Sequence, residues 1–103
     1  MTHSRYVKVA DVVARWHLAP DDLRALEAEG IIHVKYSSEG EPLLSAEDEE
    51  RVRVARLLTT ELEVNLAGVE VIVHMRESML AMQRQFADIL EAVAAELRRQ
   101  GTR

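Results

Sequence analysis

Residues 65–99 constrain the fold of this 103-residue chain more than any other part, because they read as one helix too long for so small a protein to bury. The stretch contains no Pro, and its only Gly, Gly68, falls in the first turn. Apolar residues recur at Ile72, Met75, Met79, Met82, Phe86, Ile89 and Val93, in alternating steps of three and four. That spacing is the a/d seam of a coiled coil. At 1.5 Å per residue such a helix is about 50 Å long. A domain of this size cannot cover the stripe, so the pattern predicts association with a second copy or a partner helix. Leu90 and Leu97 widen the apolar face, and Glu96 on a d position ends the seam after Val93. The three methionines with Phe86 would also suit an adaptable groove for varied partner helices. A buried homodimer seam is the simpler reading.

Composition removes several classes of function. Cysteine is absent, which excludes disulfides, thiolate metal sites and a cysteine nucleophile. His3, His17, His33 and His74 are scattered, with no second ligand at a spacing that would build a zinc site. No Gly-rich phosphate loop, serine elbow or enclosed carboxylate pair is present, so neither catalysis nor a cofactor is expected. The N-terminus leads into no apolar signal core, and no run approaches the roughly 18 apolar residues of a membrane span. These features lead us to expect a cytoplasmic, non-enzymatic protein without a membrane segment.

The remaining chain has a readable order. Val9, Val12, Val13 and Trp16 fall on one face of a short helix, with Trp16 completing the core stripe in preference to forming an exposed hot spot. Residues 17–20 form a turn, since Pro disfavours helix at the residue before it. Pro20 then opens a second helix with Asp21 and Asp22 in its first turn, Leu23, Leu26 and Ala28 inward, and Gly30 as its stop. The β-rich segment 31–36, the turn residues 37–42 and Leu43-Leu44 predict a hairpin. Ser45 to Asp48 resemble a capping box for a third helix with Val52, Ala55, Leu58 and Leu62 inward. A break follows at residues 61–64, and Asn65 is a good N-cap for the long helix.

This order resembles the MerR superfamily of winged-helix regulators, and residues 58–72, LTTELEVNLAGVEVI, carry a closer likeness. They are similar to the L-x-x-E-L-x-V-N-L-A-G-V-E-x-I-L segment of the HspR-like heat-shock repressors and the CbpM-like chaperone modulators. The resemblance implies a mostly α fold: a MerR-like winged helix-turn-helix with a small β-hairpin wing at 1–64, then a long C-terminal dimerisation helix at 65–103. It also implies antiparallel pairing of that helix. HspR-like members bind operator DNA as dimers; CbpM-like members bind the J-domain of a DnaJ/CbpA-type co-chaperone and restrain it.

Charge discriminates between these two functions. The chain carries a net charge of −5, and residues 1–64 hold all of the excess. The second helix offers Asp21, Asp22, Glu27 and Glu29 against Arg24 alone. A DNA-reading helix needs cations for phosphates and Arg, Asn or Gln for base edges. HspR-type second helices carry the pattern L-R-x-Y-E-R-x-G-L. Here Leu23-Arg24-Ala25-Leu26-Glu27-Ala28-Glu29-Gly30-Ile31 lacks its aromatic and second basic positions. Nucleic acid is therefore disfavoured, and Arg15, Arg24, Lys35 and Tyr36 are the DNA-contact candidates under that alternative. The acidic face of Asp21, Asp22, Glu27 and Glu29, extended by Glu47, Asp48, Glu49 and Glu50, suits a basic J-domain. Carboxylates at helix N-termini also have a purely local explanation in the helix dipole. A third reading is a scaffolding coiled-coil dimer with a vestigial N-terminal module.

Overall fold

A computed structural model describes residues 5–101; His3 lies outside them. Seven elements follow in order: β1 (Tyr6–Lys8), α1 (Val9–Trp16), α2 (Pro20–Ala28), β2 (Lys35–Tyr36), β3 (Pro42–Ser45), α3 (Ala46–Glu61) and α4 (Leu66–Gly101). The chain divides into two compact units, Met1–Val73 and His74–Arg103, with the division inside α4.

The first unit is a winged helix-turn-helix. Helix α1 ends where His17 adopts a left-handed backbone at φ 53°, and the Leu18 N–H returns to the Val13 carbonyl at 3.0 Å. Helix α2 ends in a Schellman turn. Gly30 sits at φ +76°, its N–H reaches the Glu27 carbonyl, and the Ile31 N–H reaches that of Leu26. The positive φ favours glycine. Leu26 and Ile31, both buried, supply the apolar contact that accompanies this turn.

The sheet is antiparallel in the order β1-β3-β2. Tyr6–Lys8, read from sequence only as an extended entry, pairs fully with β3. The predicted strand over 31–36 is confined to Lys35–Tyr36. Ile31 and Ile32 are both buried, which a period-two strand with one solvated face cannot achieve. They instead cross the core as irregular backbone. Gly40, at φ +84°, closes the loop between β2 and β3.

Helix α3 is capped by Ser45, whose Oγ accepts the Asp48 N–H at 3.0 Å. The reciprocal half of the expected box is missing, because the Asp48 carboxylate goes to the wing base instead. Val52, Ala55 and Leu58 are buried as expected, and Val54 joins them. Two expected core positions are corrected. Leu62 is 64% exposed, because α3 ends at Glu61 and the chain leaves the helical path there. Ala28 is exposed at the last turn of α2. Glu63 turns through φ 55° before α4 begins. Asn65 then caps α4, its Oδ1 accepting the Gly68 N–H at 2.8 Å.

Val12, Leu23, Leu26, Ile32, Leu44, Val52, Leu58, Val69 and Val73 belong to one aliphatic core. Trp16 packs against it, as the stripe on α1 predicts. In the second unit α4 is uninterrupted helix, and its a/d residues are exposed.

Candidate partner-binding face

Pro20 starts α2 without an N–H to satisfy, and the Asp22 carboxylate accepts the Ala19 N–H at 3.4 Å. With Leu23 and Leu26 buried, the helical period leaves Asp21, Asp22, Arg24 and Glu27 exposed, and Glu29, just past the helix, is exposed as well. All four predicted acidic residues are exposed, three on α2 and Glu29 at its C-cap. Two of them also have local duties. Asp22 holds the N-terminus of α2, and Glu27 accepts the Val34 N–H at 3.3 Å. Asp21 pairs with Arg24, the only cation on the helix. None of this removes charge, so the surface remains net negative by three.

The proposed extension along α3 does not form a free acidic surface. Asp48 is buried, accepting the His33 N–H at 2.8 Å and the Arg51 guanidinium at 2.6 Å. It ties the wing base to α3. Glu49 accepts the Trp16 indole N–H at 3.2 Å and pairs with Arg15. Glu50 takes two hydrogen bonds from Arg53, at 2.9 and 2.7 Å. The hydrogen bond and the nearby charge of Glu50 hold the Arg53 guanidinium above its ordinary range, so it stays a cation. Only Glu47 of the four remains an exposed carboxylate. The sequence shows four acids at a helix start; it does not show that the fold brings Trp16 and His33 to meet two of them.

The DNA-contact candidates separate. Arg15 is bound to Glu49 and Arg24 to Asp21. Lys35 and Tyr36 are exposed on β2. Sheet register joins to Lys35 two residues that the sequence reading missed, Tyr6 and Lys8. Lys8 and Lys35 both lie opposite Leu43, on the same face as Tyr6 opposite Ser45. Lys8 is shared with Glu41 at 3.8 Å. The signal was the extended Tyr6–Lys8 segment, which could not be paired without knowing its register.

Along α4 the seam residues Ile72, Met75, Met79, Met82, Phe86, Ile89 and Val93 are all exposed. Leu90 and Leu97 are exposed as well. Among the described residues no helix is long and apolar enough to cross a membrane. No group of three or more His, Cys, Asp or Glu among them could hold a metal ion.

A winged helix-turn-helix followed by one long apolar-striped helix defines a class of regulatory proteins. Residues 7–90 match the family model described as MerR HTH family regulatory protein, and the chain belongs to that family. A comparison with curated proteins returned no match.

Proposed function

We propose that this regulator works through protein contacts: it dimerises through α4 and uses the acidic face of α2 to bind and restrain the J-domain of a DnaJ/CbpA-type co-chaperone in the cytoplasm. The observation that carries this reading is the charge of α2. The helix exposes Asp21, Asp22 and Glu27, with Glu29 at its C-cap, and its one cation is already held by Asp21. Phosphates would meet a net negative helix, whereas a basic protein surface would meet a complementary one. The exposed stripe from Ile72 to Val93 supports association of two copies, since pairing would bury apolar side chains that one chain leaves in water.

Capture of an isolated J-domain tests the reading, with Asp21→Lys/Glu29→Lys as the variant. Neither side chain accepts a backbone N–H, but Asp21→Lys also removes a first-turn carboxylate and the partner of Arg24, so circular dichroism of the variant checks that the helix still forms. The account expects capture by the wild type and loss by the variant. Equal capture by both removes the acidic face from the interface.

A second reading, operator binding in the manner of HspR-like repressors, draws on the sheet face that carries Tyr6, Lys8 and Lys35. It expects duplex affinity that falls steeply with salt and with Lys8→Ala/Lys35→Ala.

A further inference from the structure

Within the first unit, the helix-turn-helix turn and α2 form one side of an open cleft of about 370 Å³, and α3 forms the other. Leu18, Ala25, Leu26, Ala55 and Leu66 give it an apolar lining. Its two walls carry opposite charges: Asp22 on α2 and Arg56 on α3. These groups are not paired with each other. Asp22 accepts only the long bond from the Ala19 N–H. Arg51 and Arg53 on the same helix find Asp48 and Glu50, but the Arg56 guanidinium meets no carboxylate among the described residues. Its recorded hydrogen bonds are those its carbonyl accepts from the Thr59 and Thr60 hydroxyls, at 3.2 and 2.6 Å. Arg56 is a half-buried residue whose guanidinium has no protein acceptor among the described residues, which suits an occupant that brings an acceptor. His17, in its left-handed conformation, also lines the cleft.

Asp22 belongs both to this cleft and to the acidic face of α2. We propose that the cleft receives one apolar side chain from a segment of the protein partner, with basic residues of that segment along the α2 carboxylates and a carboxylate of the segment on Arg56. This inference rests on the protein-contact reading of α2 and adds to it a steric anchor and a polarity. The volume lies at the low end of the range for small binding pockets, about 300–1,000 Å³, and suits a single large side chain with its flanks. An apolar anchor in such a pocket, ringed by polar contacts, is where interface energy concentrates.

The test is calorimetric titration of an isolated J-domain into the full chain, comparing wild type with Ala25→Leu, which fills the cleft, and Arg56→Gln, which removes its cation. The proposal expects Ala25→Leu to weaken binding by about tenfold or more and Arg56→Gln by about threefold to tenfold. The methyl resonances of Leu18, Ala25 and Leu66 in the wild type should shift on binding. If Ala25→Leu melts early, Arg56→Gln and the wild-type methyl shifts decide the question. Suppose the wild type binds, Asp21→Lys/Glu29→Lys abolishes binding, yet Arg56→Gln binds normally and the methyls stay put. That outcome overturns the cleft and leaves the acidic face standing. No J-domain binding by the wild type overturns both.

Discussion

In the first unit Val12, Ile32, Leu44, Val52 and Val69 are completely buried by the chain itself, whereas in the second Met79, Met82, Phe86 and Ile89 remain more than half exposed. Apolar content does not separate the two units; geometry does. Short helices and a three-stranded sheet can close around a common centre, so each apolar face finds another within the same chain. A single helix has nothing behind it, and a stripe repeating every three to four residues along it is satisfied only from outside. Burial in the first unit is therefore a property of one molecule, and the proposed pairing would make it, in the second, a property of concentration.

The largest expected effect tests that contrast. Met79→Glu/Phe86→Glu should abolish self-association outright in sedimentation velocity, because charges at two successive a positions must be desolvated for the helices to pair. A surviving dimer would mean that another surface mediates association. Next, Leu44→Ala should cost about 2–5 kcal/mol in urea unfolding, as expected for a fully buried leucine. Phe86→Ala, measured under conditions where the chain is monomeric, should cost less than about 1 kcal/mol. Comparable losses at the two sites would erase the distinction between the units.

A smaller effect concerns the joint between wing and helix. Asp48→Ala leaves the His33 N–H and the Arg51 guanidinium without their shared acceptor, and should cost about 1–3 kcal/mol. Slow amide exchange at His33 should be lost with it. The smallest effect is a gain. His17→Gly relieves a left-handed backbone that a Cβ disfavours, and should raise stability by up to about 1 kcal/mol without altering association.

Elements with a local cause were readable before any coordinates. Pro20 and Gly30 bound α2, Ser45 and Asn65 cap α3 and α4, and the a/d spacing marks a helix that runs through Gly101. What failed to show in the sequence depends on contacts distant along the chain. The pairing of Tyr6–Lys8 with β3 needs a register that three residues cannot encode. The buried role of Asp48 depends on a backbone N–H fifteen residues earlier. Four consecutive acids at the start of α3 looked alike, yet the fold buries one, gives the next two to arginines and leaves only Glu47 an exposed carboxylate. On α2 the inward Leu23 and Leu26 and the outward Asp21, Asp22 and Glu27 follow from helical spacing, whereas Ala28, expected inward, is exposed. The cleft with Asp22 and Arg56 on facing walls has no signature in the sequence, since its sides come from segments some thirty residues apart.

Fluorescence anisotropy of a labelled DNA duplex with the wild-type protein at low salt examines the central electrostatic argument most directly. The account predicts no saturable binding up to micromolar protein, because a second helix with three carboxylates, a fourth at its C-cap and one paired arginine gains nothing from counterion release. Submicromolar affinity that collapses as salt is added would contradict it and put the operator-binding reading first.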